Sequence, residues 1–95
     1  MLLQSPNFIK VGNITNSTFQ GPKEGIVFRS NIVAIDSIAG STFKGDDASI
    51  FVPTGLYVNS LHLSAEDLYK QYLQPNGNLV QGLISVDDTY YTPKI

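Results

Sequence analysis

The chain has 95 residues and no cysteine, carries a net charge of −2, and is 42% hydrophobic but only 15% charged. That length makes one domain, 1–95, with a core near the lower limit of self-sufficiency, and the hydrophobic share excludes disorder over most of it. Without cysteine there are no disulfide staples and no thiolate metal sites, and six dispersed Lys and Arg residues do not supply the clustered charge that displaces counterions from nucleic acid.

Met1–Pro6 lacks the basic and apolar segments of a signal peptide, and no run approaches the ~20 apolar residues of a membrane span. The expected location is cytoplasmic or virion-associated, without secretion by a signal peptide and without a membrane.

Phe8–Ile14 alternates apolar and polar residues and reads as a first strand. Gly21-Pro22 and Gly25 punctuate the connection that follows. Ile26–Arg29 and Ile32–Ile38 come next. In the latter, Val33 and Ile35 share one parity and Ile32, Ala34 and Ile38 the other, so the strand is apolar on two faces. Such a strand is either central and covered on both sides, or covered once by its own domain and once by a neighbour. Ala48–Val52 and Leu56–Leu61 flank Pro53-Thr54-Gly55, which reads as the tight turn of an antiparallel hairpin.

Ser64 is the strongest local signal. Its hydroxyl can cap the N–H of Asp67, Leu63 and Leu68 have the spacing of a hydrophobic staple, and Glu66 pairs with Lys70 at i,i+4. A helix is predicted to run to Gln74 and to stop at Pro75-Asn76-Gly77. Asn78–Val86 is a last strand candidate. Asp87–Ile95 reads as an extended tail whose Tyr90 and Tyr91 either fold back or reach a neighbour. The chain reads without internal repeats. The expected fold is α+β and mostly β: an antiparallel meander of about five strands, one short helix at about 65–74, and the tail.

Chemistry is hard to place. His62 is the only histidine, and Ser64, His62 and Asp36 form a catalytic set only on paper, since a triad is a matter of geometry. Asp46-Asp47 and Asp87-Asp88 match no calcium-loop pattern and read as solvated turns. No glycine run makes a phosphate cradle. An enzyme is not expected, and neither a cofactor nor a metal.

The order of segments in Asn31–Gln74 does resemble known families. Asn-Ile-Val-Ala-Ile-Asp, then Ala-Ser-Ile-Phe-Val, then Pro-Thr-Gly into Tyr-Val-Asn-Ser, then the Ser-led helix is similar to the small flagellar regulators called FlbD-like and, more loosely, to LytTR domains. The resemblance implies a local topology. It would also imply DNA contact through basic side chains, here Lys23, Arg29 and Lys44, and the chain departs from it in being poor in such residues.

These readings together point to a small non-enzymatic assembly or binding module, self-associating or bound to other structural proteins, in the manner of phage-type structural or accessory proteins. Its interface residues would be Ile32, Ala34, Ile38, Tyr90, Tyr91 and Ile95. The alternatives are a LytTR-like nucleic-acid-binding regulator and a small molecule-binding or host protein-binding inhibitor.

Overall fold

The computed structural model describes residues 1–58 and 60–93. The chain is mostly β with a single helix, but the sheets are largely parallel, and the expected antiparallel meander is not what forms. Twelve strands are found among the described residues: β1 (Leu2–Gln4), β2 (Phe8–Thr15), β3 (Thr18–Gly21), β4 (Glu24–Arg29), β5 (Ile32–Ala39), β6 (Thr42–Gly45), β7 (Ala48–Val52), β8 (Gly55–Val58), β9 (Leu61–Leu63), β10 (Leu79–Gln81), β11 (Ile84–Val86) and β12 (Thr89–Tyr91). They form three sheets. Face A has the order β1-β4-β7-β11-β12, face B β2-β5-β8-β9, and face C β10-β6-β3.

Successive strands therefore visit B, C and A in turn and then begin again. Phe8 lies opposite Ile32, Thr18 opposite Thr42 and Glu24 opposite Ala48, each 24 positions on. The chain winds as a three-faced parallel β-solenoid whose turns are β2–β4, β5–β7 and β8–β11. Such a fold is a repeat architecture, and the repeat is present in the sequence. Asn16-Ser17-Thr18-Phe19-Gln20-Gly21, Gly40-Ser41-Thr42-Phe43-Lys44-Gly45 and Gly77-Asn78-Leu79-Val80-Gln81-Gly82 occupy the same place in the three turns. The third turn is lengthened by an insertion between Val58 and Gly77 that carries β9 and the helix.

Two corrections follow. Pro53-Thr54-Gly55 is a corner between faces, with β7 in face A and β8 in face B, so the hairpin does not form. The tight-turn signal is genuine, but the chain turns out of the sheet, not back along it. The segment after Val86 is also more structured than a tail: Thr89–Tyr91 returns antiparallel along β11 through a turn at Asp87, whose φ is 53°.

Inward side chains stack on their equivalents. Ile14 sits over Ile38, Phe28 is in line with Val52 and Val86, and Ile26 with Ile50 and Ile84; all are buried. Phe19 and Phe43 stack with ring centroids 5.2 Å apart and planes 13° from parallel, an aromatic contact worth about 0.5–1.5 kcal/mol beyond its buried area.

The corner between faces B and C recurs in three turns. Asn16, Gly40 and Gly77 hold it at φ of 47°, 61° and 73°, a left-handed conformation that glycine and asparagine adopt most readily. Beside them runs a polar ladder. Ser17 N–H donates to Ser41 Oγ at 3.2 Å, and Ser41 N–H donates to Asn78 Oδ1 at 3.0 Å. Asn78 Nδ2 donates to the carbonyls of Ile38 (3.1 Å) and Leu73 (2.9 Å).

The helix α1 begins with Ala65–Asp67 and continues in π-wound form over Leu68–Leu73. Ser64 Oγ accepts the N–H of Asp67 at 3.2 Å, and Lys70 lies 3.7 Å from Glu66, as the sequence predicts. Ala65, Leu68 and Leu73 are fully buried in the core. The helix reaches all three terminal strands: it follows β9, donates the Ala65 N–H to the Thr89 hydroxyl of β12 (2.9 Å), and is tied by Asn78 to β10. It closes the C-terminal mouth of the solenoid.

Gly45 shows how tight the stacking is. A Cβ there would meet the Ala48 carbonyl, with the backbones of Gly25 and Lys23 at 2.7 Å, whereas one on Gly12 would meet nothing within 4 Å. Gly45→Ala is expected to cost about 1–3 kcal/mol by overpacking, and Gly12→Ala to stay within about 0.5 kcal/mol; urea denaturation midpoints of the two variants check this.

Candidate functional site

The two ends of the solenoid differ. At the C-terminal end the free edges are β9, β10 and β12, three residues each, and α1 covers the core between them. At the N-terminal end the free edges are β1, β2 and β3, and β2 is eight residues long. The inward residues of this first turn are incompletely covered. Leu3, Ile9, Val11 and Phe19 are half-buried, while their counterparts one turn on, Val33, Ile35 and Phe43 among them, are fully buried.

An edge strand shows a row of unpaired N–H and C=O groups, which soluble proteins guard with charges, proline, bulges or brevity. In β1, β2 and β3 the only charged residue is Lys10, and there is no proline. One irregularity is present. Val11 and Ile14 both face inward, three residues apart, with exposed Gly12 and Asn13 between them. The same bend lies in β5 at Asp36-Ser37, and Ser37 Oγ donates to Asn13 Oδ1 at 2.6 Å.

Next to this edge, the outside of face B is an apolar ledge. Phe8 is 59% exposed and stacks on Ile32, 49% exposed; beside them run Lys10, Ala34 and Tyr57 in register, followed by His62. Tyr57 and His62 have ring centroids 5.1 Å apart. The open groove along the ledge holds about 720 Å³ and is also lined by Asp36 and Ser60. Its walls are rigid parallel strands, its floor is apolar, and its charges sit at the margins, as in the core and rim of a protein interface.

Of the interface residues expected from sequence, Ile32 and Ala34 lie together on this ledge. Ile38 does not. It is 3% exposed and opposite Ile14 in the core, because the bend at Asp36-Ser37 reverses the parity that had placed it with Ile32. Tyr90 is 66% exposed on the outside of face A, at the other end of the molecule, opposite buried Ser85. Tyr91 folds back, its ring 5.3 Å from that of Tyr69 and with Lys70 Nζ 5.9 Å away. Ile95 lies outside the described residues.

The basic residues of the nucleic-acid alternative are dispersed. Arg29 is on face A with its guanidinium 5.7 Å from the Phe51 ring centroid, Lys44 is on face C, and Lys23 is at the corner between those faces. Ser64 Oγ is taken up by the helix cap and His62 by the ledge. Among the described residues, no three His, Asp or Glu side chains come together as a metal site would require.

Sequence reasoning missed Phe8, Tyr57 and the edge of β2. The missing signal was the 24-residue period, which makes β2 a terminal turn and puts Phe8 in line with Ile32. No family model, no curated protein and no solved structure matches the chain.

If the ledge is surface held for a partner, its residues contribute little to folding. Phe8→Ala and Ile32→Ala are each expected to cost under about 1 kcal/mol, against about 2–5 kcal/mol for Leu56→Ala inside the same face; chemical denaturation of the three variants provides the comparison.

Proposed function

We propose that this chain is a non-enzymatic assembly module that joins a larger structure, as a structural or accessory component, through the open N-terminal end of its solenoid. The observation that carries this reading is the asymmetry of the ends: among the described residues, terminal strands of three residues each and a helix over the core at one, and an eight-residue edge with Lys10 as its single charge beside half-buried Leu3, Ile9, Val11 and Phe19 at the other. Repeat proteins need terminal caps to stay soluble, and an exposed strand edge is a template for strand addition. An end without a cap is where this solenoid continues into something else. The ledge of Phe8, Ile32 and Tyr57 adjoins that edge and extends the docking surface around the corner of the end.

The low charge fits a contact made by backbone hydrogen bonds and apolar packing. Such a contact has little electrostatic steering and a weak dependence on salt. Light scattering across a concentration series, with hydrogen exchange read at the β2 amides, tests the proposal. The expected result is a mass above one protomer, with β2 amides becoming protected as the mass rises. One protomer's mass up to millimolar concentration, with β2 exchanging like an unpaired edge throughout, would remove the assembly reading.

A further inference from the structure

Resting on that reading, we infer that the partner at the open end is a second copy of this chain, joined head to head about a two-fold axis through β2. The argument begins with the shape of the end. β1 and β4 lie on the same face and pair in register, so the chain climbs one full strand width between them. The end is therefore a spiral ramp: β1 on face A is the low step, β2 on face B the middle, and β3 on face C the high step.

A two-fold axis perpendicular to the solenoid and passing through face B keeps B on itself and exchanges A with C. It sets the low step β1 of one copy against the high step β3 of the other, and β2 against β2. The ramps then fit along their whole length. The blocked C-terminal end offers no such surface, since α1 lies across it. Head-to-tail stacking would meet α1 and edges of only three residues, so the geometry favours the isologous joint, the commonest symmetry of homo-oligomers.

Side chains agree with this geometry. With the axis between Val11 and Gly12, antiparallel pairing sets Ile9 against Ile14 of the second copy, inward against inward. It sets Lys10 against Asn13 and Phe8 against Thr15, outward against outward; at the axis itself inward Val11 meets Gly12, which has no side chain, and the bend at Gly12-Asn13 brings the flanking pairs back into parity. Leu3 comes over Phe19 of the second copy, and the half-buried residues of both first turns are covered. Lys10, the only charge on the three edge strands, faces Asn13 and not its own copy.

Gly12 makes the test clean. It is exposed, its Cβ position is open, and the protein has no cysteine. Gly12→Lys is expected to leave circular dichroism and the urea midpoint of the dissociated protomer, measured at a concentration below the dimer's Kd, unchanged and to weaken the dimer about 100-fold or more, since it places two ammonium groups at the axis. Gly12→Cys is expected to form a disulfide-linked dimer on mild oxidation, because diagonal neighbours across an antiparallel axis are within disulfide reach; Lys44→Cys on face C is expected not to. A dimer by sedimentation equilibrium with both results supports the joint. A dimer or larger assembly that resists Gly12→Lys, fails to cross-link at position 12 and dissociates on Tyr90→Lys or Ile32→Lys overturns the joint and leaves the assembly reading standing. A monomer at all concentrations overturns both.

Discussion

Everything in this molecule follows from in-register parallel stacking. A residue at a given place in one turn lies about 4.8 Å from the residue at the same place in the next, so each outward or inward position is a ladder, and a ladder has to tolerate its own repetition. Isoleucine on isoleucine and phenylalanine on phenylalanine satisfy this, and the core is built from them. Glycine at 21 and 45 satisfies it where the corner leaves no room for a side chain. Charge does not, since like charges directly opposite each other destabilise a pair of strands. Lys10 accordingly lies opposite Ala34, Lys44 between Gln20 and Gln81, Glu24 opposite Ala48, and Arg29 opposite Gln4. The charge poverty of the composition is a property of the ladder, with Ser, Thr, Asn and Gln supplying polarity that can repeat.

A ladder must also end. In a solenoid each turn is stabilised by its neighbours, and a terminal turn has only one. At the C-terminus the chain solves this locally. The third turn is interrupted after Val58, and the inserted segment supplies β9 to face B and α1 to the mouth, while β12 doubles back along β11 on face A. The cap at Ser64 and the staple-like burial of Leu63 and Leu68 stabilise the helix as a lid, so the strongest local signal in the sequence belongs to a segment outside the repeat. At the N-terminus only face A receives an extra strand, β1, whose Leu3 lies opposite Phe28. Faces B and C are left with their first strands uncovered.

The local features of this fold were legible in the sequence and its pairing was not. Strand parity identified Phe8–Ile14, Ile32–Ile38 and Ala48–Val52, and the cap at Ser64 with the Glu66–Lys70 pair formed as read. Pairing was misassigned because corner chemistry and hairpin chemistry use the same residues. Pro53-Thr54-Gly55 turns the chain by a corner, and only the identity of the strand beside β8, which is β5, 23 residues back, distinguishes that from a reversal. The repeat that would have revealed it is compact in two turns, Ser-Thr-Phe-x-Gly at 17–21 and 41–45. It is disguised in the third by the insertion and by Leu79 and Val80. The ledge was half legible for a related reason. Ile32 and Ala34 follow from parity, but Ile38 depends on a bend that two polar residues in succession, Asp36-Ser37, mark without announcing its direction. Phe8 and Tyr57 join the ledge only through register.

An uncovered edge of low charge carries the same hazard that drives fibril formation, because a joint that repeats has no natural end. The helix decides between the two outcomes. With both ends open, this solenoid would add copies indefinitely along its axis, each new turn stacking on the last. With α1 across one end, the proposed isologous contact would consume the open ends of both partners at once. The insertion in the third turn thereby does two things. It buries Leu68 and Leu73 to complete the core of its own chain, and in the proposed joint it would turn a surface suited to unlimited polymerisation into one that closes after a single partner.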